Sequence, residues 1–284
     1  MKLKFNLLAA AAMVAAGAAQ AAITLPSTGN SSLTFVAIDS IGSPISLTAD
    51  LGFLMSDFVP ATSTFGNAGT SIVWNFGANT RTVNGVASVG DFAWSAGLAS
   101  FFSTAQASDL QWGVIAADQV NGGAIAGRGW LASGNATAAQ MVAMNSGGPV
   151  GNALGVTNNF LAATNVVGTH TTNADGANTA VSGGEYLGTT MFGNFNNQQS
   201  WSYLTANNTA STFQYLQQTA ANPIVTQIGF VSTVDSLSPS ASTFRFDADA
   251  GTLTFMTPVP EPTTYAMLLA GLAAMGTMVR RRKS

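Results

Sequence analysis

Apolar and polar residues alternate in short runs along much of this chain. Residues 32–37 set Leu33, Phe35 and Ala37 on one face, and residues 45–53 keep the same period with Ile45, Leu47, Ala49, Leu51 and Phe53. A period of two belongs to a strand with one face buried, so both segments are predicted strands. Residues 71–76 repeat the pattern through Ile72, Trp74 and Phe76, and residues 110–116 through Leu110, Trp112, Val114 and Ala116. Breaks at Gly66-Asn67, Asn84-Gly85, Asn121-Gly122-Gly123 and Gly147-Gly148-Pro149 supply turn chemistry between them. The clearest unit is residues 243–256. Phe244 and Phe246 alternate with Thr243 and Arg245, Asp249-Ala250-Gly251 turns, and Leu253 and Phe255 return, which predicts a β-hairpin.

Helical periodicity is scarce. Residues 136–145, capped by Asn135 and stopped by Gly147, are the best helix candidate. Residues 210–220 are a second, weakened by Thr and Asn. Residues 155–184 are rich in Thr, Asn, Ala and Gly and read as long loops or weak strands. No repeat of solenoid period is visible. The pattern predicts an all-β fold, a β-sandwich of jelly-roll-like topology with one or two short helices.

The two ends depart from this pattern. Lys2 and Lys4 precede an apolar run over residues 5–19, and Ala19-Gln20-Ala21 supplies small residues at the positions a signal peptidase reads. That order is a secretory signal peptide, with Ala19 and Ala21 as the recognised residues and cleavage after Ala21. At the other end Pro260-Glu261-Pro262 precedes an apolar stretch over residues 263–279, and Arg280, Arg281, Arg282 and Lys283 follow it. At 1.5 Å per residue the stretch covers roughly 25 Å, short of a hydrocarbon core of about 30 Å. Its large residues surround the helix instead of forming a stripe, so a single transmembrane helix is predicted, with the cations held on the cytoplasmic side. The chain thus divides into a signal peptide (1–21), one β-rich exported domain (22–257) and a C-terminal signal (258–284).

The C-terminal residues resemble a known sorting family. Val259, Pro260, Glu261, Pro262 and the Thr-Thr-Tyr-Ala after them, then the short span and the Arg cluster, are similar to the PEP-CTERM protein-sorting signal of Gram-negative bacteria. The resemblance implies processing near Pro-Glu-Pro by an exosortase, a membrane-embedded cysteine transpeptidase, after a transient anchor in the inner membrane. It implies release to, or attachment at, the cell surface, in bacteria that make exopolysaccharide. It says nothing of the exported domain's own activity, because the signal is attached to many unrelated domains.

Composition narrows the rest. With both ends removed, the body keeps Arg81, Arg128 and Arg245 against eleven acids, a net charge of −8, and no lysine. Such a body is a poor partner for nucleic acid, whose binding runs on cation–phosphate contacts. There is no cysteine, so the fold holds through its core alone. Charged residues are 7% of the chain, which leaves the surface to Ser, Thr, Asn, Gln, Gly and Ala.

Candidate chemistry is thin. His170 is the only histidine, in the polar context Gly-Thr-His-Thr-Thr-Asn, and reads as an exposed loop residue. No Gly-x-Ser-x-Gly elbow accompanies it. One histidine and no cysteine do not make a zinc site. Glu185 is the only glutamate of the body, so paired carboxylates for glycoside hydrolysis would need an aspartate from elsewhere. Asp247 and Asp249 open like a calcium loop, but apolar alternation follows where a bidentate glutamate is required, and a hairpin turn is the simpler reading. Trp74 and Trp112 alternate with apolar neighbours and are core candidates. Trp201 and Tyr203, flanked by Asn194, Asn196, Asn197, Gln198 and Gln199, are the candidates for stacking on a sugar ring.

These observations lead to the expectation of a non-enzymatic protein without cofactor or metal. It would be processed by signal peptidase and exosortase and act at the cell surface or in the extracellular matrix. A structural or adhesive role with exopolysaccharide or biofilm comes first. A carbohydrate-binding module is the alternative, and a secreted hydrolase follows.

Overall fold

The computed structural model describes residues 22–41, 44–58, 65, 69–118, 129–134, 147–173, 175–188, 204–218, 228–233 and 242–257. In chain order the strands are β1 (Ser32–Asp39), β2 (Ile45–Leu54), β3 (Ser71–Asn75), β4 (Thr80–Val83), β5 (Val86–Ala87), β6 (Phe92–Ala93), β7 (Leu110–Ala117), β8 (Gly129–Ser133), β9 (Asp175–Ala180), β10 (Thr205–Ala206), β11 (Ala210–Gln218), β12 (Ile228–Thr233), β13 (Thr243–Asp247) and β14 (Thr252–Met256). Two helices accompany them, α1 (Ser95–Phe102) and α2 (Gly147–Thr164), with 3-10 turns at Pro26–Thr28, Met55–Asp57 and Gly168–Thr171. The protein is mostly β, as its alternation predicts.

Hydrogen bonding orders the strands β5-β4-β3-β14-β13-β11-β8-β7-β1-β2-β9-β6, with β10 on β7 and β12 on β11. Laid flat, β1 and β13 would stand four strand spacings apart, roughly 19 Å. Yet the rings of Phe35 on β1 and Phe246 on β13 have centroids 4.8 Å apart. Between β2 and β3 there are seven spacings, yet the Trp74 indole donates to the Leu51 carbonyl at 2.9 Å. The strand path therefore doubles back on itself, and β11 is where it turns. Its residues 210–212 pair with β13 and its residues 213–217 with β8. One layer carries β5, β4, β3, β14 and β13, and the other β8, β7, β1, β2 and β9.

The core lies between the layers. Leu33, Phe35, Leu47, Trp112 and Val114 from one side meet Ile72, Trp74, Phe244, Phe246, Leu253 and Phe255 from the other, all buried. Phe35 also packs on Phe76 at 5.1 Å, and Phe58 meets Phe255 edge-on at 5.3 Å. Such ring pairs add about 0.5–1.5 kcal/mol each beyond the apolar area they bury. Two turns show how sequence places these strands. Asn84 and Gly85 both take positive φ, 51° and 78°, which is what a two-residue hairpin turn between β4 and β5 requires. Asn79, also at positive φ, accepts the N–H groups of Trp94 and Ser95 at 2.8 Å each and so caps α1 from a distant turn.

Several expectations need correction. Residues 210–218 form β11 and not a helix, because Thr212, Phe213 and Tyr215 favour extended chain and the strand gains pairing partners on both edges. Residues 155–164, part of the stretch read as long loops or weak strands, lie in α2, while β9 falls in the same stretch. Gly147-Gly148-Pro149, read as a turn, begins that helix, where a proline lacks only an N–H that the first turn does not use. The helix predicted at 136–145 lies outside the described residues. Among the described residues no helix is long and apolar enough to cross a membrane. The predicted signal peptide and transmembrane span lie outside them.

Candidate functional site

The densest concentration of buried charge sits where β2 ends. Register along β1 and β2 slips between Ser32↔Leu54 and Thr34↔Asp50, so residues 51–53 form a bulge. Gly52 has φ 70°, and a Cβ there would run into the Arg81 guanidinium and lie 2.8 Å from Asp175 Oδ2. The bulge turns three successive carbonyls toward side chains from other elements. Trp94 Nε1 donates to Asp50 O at 2.7 Å, and Trp74 Nε1 to Leu51 O at 2.9 Å. Arg81 Nη1 donates to Leu51 O at 2.9 Å and Gly52 O at 2.7 Å.

Arg81 reaches this place from β4, directly across from Trp74 on β3, and is 7% exposed. Its guanidinium lies 4.0 Å from the Phe53 ring centroid and 4.9 Å from that of Phe92, which stacks on Trp94 at 4.6 Å. The cation thus joins one layer to the other through carbonyls and ring faces.

Carboxyls surround it. Asp50 accepts the Gly52 N–H at 2.9 Å. Burial, reinforced by the Asp175 charge, pushes its pKa up to about 8, against the opposing pull of Ser32, the Gly52 N–H and Arg81. Asp175 is pushed up to about 6 by burial, with Arg81 opposing and Asp91 adding to the rise. Asp57 is also raised by burial, while the Leu54 N–H it accepts at 2.9 Å and Arg81 hold it down. Burial lowers the Arg81 pKa, with Asp175, Asp50 and Asp57 opposing the shift. One cation balances one carboxylate, so near neutral pH the Asp50 carboxyl keeps its proton. Two acids with separated pKa values are also the signature of acid–base chemistry. Here, however, Arg81 and Asp50 present almost no surface to a substrate, Asp50 being 3% exposed.

His170 corrects the sequence expectation most sharply. It is fully buried, on the 3-10 turn Gly168–Thr171 against β9. Thr169 fixes that turn, its hydroxyl donating to Ala93 O at 2.8 Å and accepting the Ala177 N–H at 2.8 Å. A Cβ at Gly176 would lie 2.6 Å from the backbone nitrogen of His170, so the glycine is what lets the turn dock. Neither ring nitrogen makes a hydrogen bond, and neither do Thr48 Oγ1 or Asn178 Oδ1, on residues paired across β2 and β9. Burial pushes the imidazole down to about 4, against a weaker pull from the Thr48 backbone and the Asn178 side chain. The hydrogen-bonded serine and aspartate that a triad histidine needs are not bound to it.

The remaining candidates are dispersed. Asp247 and Asp249 lie at the β13–β14 turn, where Asp247 Oδ1 accepts the Ala250 N–H at 3.0 Å. Among the described residues no group of three or more His, Asp or Glu could hold a metal ion. Trp74, Trp94 and Trp112 are fully buried. A shallow depression beside α1 is lined by Gly77, Ser95, Ala96, Leu98, Ala99 and Phe102, without a charged group. Trp201, Tyr203, Ala19, Ala21, residues 259–262 and residues 280–283 lie outside the described residues.

The body's own site does not say what the protein is for, and the sequence beyond it says only where the chain is sent. Residues 258–283 match the PEP-CTERM protein-sorting motif, the signature of exosortase substrates. The chain carries a PEP-CTERM sorting signal. That signal implies export, processing by an exosortase and a surface or extracellular location. No curated protein and no solved structure matches the chain. The PEP-CTERM match opens at residue 258, directly after Thr257, which is tied to Thr70.

Proposed function

We propose that the exported body is a non-enzymatic structural or adhesive component of the cell surface or extracellular matrix, acting with exopolysaccharide in a biofilm. The observation that carries this reading is where the reactive side chains go. Arg81, Asp50 and His170 are spent inside the fold, all three buried. The scaffold is read as a β-sandwich, supported by the ring contacts between β1 and β13, and residues 22–257 as its single domain. The precursor passes the inner membrane once, through residues 263–279, and loses its signal peptide after Ala21.

Removal of the gene from the producing bacterium tests this role. The expected outcome is weakened biofilm cohesion, restored by the full chain and also by a His170→Phe variant. Unchanged cohesion, or a broad hydrolase screen that finds activity in the purified protein, would refute it.

A carbohydrate-binding module is the second reading. Burial of Trp74, Trp94 and Trp112 withdraws them from any platform and favours Trp201 and Tyr203 for that role. Retention on the organism's own exopolysaccharide, lost in Trp201→Ala with the fold kept, is its expected result.

A further inference from the structure

The sorting motif begins with no spacer after the folded body, and the last strand before it cannot be drawn out to make one. Thr257 donates its N–H to Thr70 O at 2.9 Å, and its hydroxyl accepts the Thr70 N–H at 2.7 Å. β14, which leads to it, is paired along all five residues with β3 on one side and with β13 on the other. Leu253 and Phe255 on that strand are fully buried. Freeing β14 would break two ladders at once and open the core. The matched motif starts at residue 258. Four residues of fully extended chain span at most about 14 Å, which is the farthest Glu261 can stand from the sheet.

We propose that the end of the β5-β4-β3-β14 layer from which the motif leaves is a contact surface for the sorting enzyme. Whatever engages Pro260, Glu261 and Pro262 must also meet that end. Ser71 and Thr243 flank Met256 there, and the Asn84-Gly85 turn closes beside Ser71, whose carbonyl accepts the Asn84 N–H at 2.7 Å. Val86 lies one residue row away, across three strand spacings from β14, about 14 Å. Met256 and Val86 are large apolar residues exposed at 53% and 51%, and Thr70, Ser71, Asn84 and Thr243 are neutral. The described residues of this end are uncharged and offer one exposed apolar side chain on each face of the layer, which fits the extracytoplasmic lip of a membrane-embedded enzyme, pressed close by a short tether. This contact rests on the sorting motif and is independent of the matrix role proposed above.

The test is a pulse–chase of the full chain in producing cells, reading precursor against processed mass. Met256→Arg and Val86→Arg are each expected to slow processing severalfold. Asp249→Arg, which also introduces an arginine and with a larger change of charge, but at the turn at the opposite end of the β13–β14 hairpin, is expected to leave it unchanged. Export and protease resistance of the precursor are measured alongside, so that a folding defect is recognised. Insertion of about ten Gly and Ser residues after Thr257, with a mean reach of about 17 Å, is expected to abolish the sensitivity to both substitutions. Normal processing of both variants would overturn the proposal, and so would a defect that persists with the spacer. Tolerance of Met256→Arg with slowing by Met256→Glu would overturn it as well, by making anionic lipid the neighbour.

Discussion

Arg81 and His170 are both closed off from water, and the protein treats them in opposite ways. The guanidinium keeps its charge among two carbonyls, two ring faces and a ring of carboxyls. The imidazole gives up its charge and sits without a hydrogen bond. Arg81 holds two layers together, whereas His170 fills the space under one turn. Desolvating a cation is worthwhile only where it replaces bonds that neutral groups cannot make. The bulge at residues 51–53 is such a place, since its carbonyls have left the strand ladder.

The strongest way to break this comparison is to remove the cation. Arg81→Met leaves the Asp175 carboxylate buried without its counter-charge, and a loss of about 3–5 kcal/mol in urea unfolding is expected. Adding Asp175→Asn to Arg81→Met should recover a large part of that loss, because the orphaned charge goes with it. Arg81→Lys should fall between, keeping charge but losing the planar fork and the stacking on Phe53 and Phe92. A loss below 1 kcal/mol for Arg81→Met would reduce Arg81 to ordinary packing.

Much of the framework around this joint can be read in the sequence, and the joint cannot. The alternations at Leu33-Phe35-Ala37 and Ile72-Trp74-Phe76 and the 243–256 hairpin become β1, β3, β13 and β14, since period two and turn residues are local signals. β11 departs from the expected helix because two of its partners, β8 and β13, are distant in sequence, and pairing on two edges outweighs an Ala- and Gln-rich stretch. Arg81 in Thr80-Arg81-Thr82 looks like the outward residue of an edge strand. Only the register that sets it opposite Trp74 turns it inward. The lone Gly52 inside an apolar alternation was the available clue to a bulge. His170 departs from its expected place for a similar reason, since the polar run Gly-Thr-His-Thr-Thr-Asn says nothing of the 3-10 turn's close docking at Gly176.

A milder test uses pH. Asp50 and Asp175 have folded pKa values of about 8 and about 6, above the 3.8 of the free group. The folded state then binds more protons than the unfolded one, so their contribution is fully present below pH 3.8. It is lost as pH rises through about 6 for Asp175 and about 8 for Asp50. Stability should therefore fall from pH 6 to pH 8, by about 1–3 kcal/mol. Asp50→Asn cannot ionise and keeps an acceptor for the Gly52 N–H, so its urea midpoint should stay nearly level over that range. A wild-type midpoint that rises toward pH 8 would contradict the retained proton.

The smallest effect is expected at His170, and its sign runs the other way. Its folded pKa of about 4 lies below the 6.5 of the free group, so its contribution is fully present above pH 6.5 and is lost as pH falls through about 4. His170→Phe removes that liability and fills a similar planar space. At pH 7 the variant should stay within about 1 kcal/mol of wild type, because no hydrogen bond is given up and a neutral ring replaces a neutral ring. At pH 4.5 it should be the more stable protein, by about 1 kcal/mol or more. A loss above 3 kcal/mol at pH 7 would mean that the ring nitrogens are bonded to an enclosed water together with Thr48 and Asn178. His170 would then resemble Arg81, a polar strut satisfied from within, and the contrast between the two regions would close.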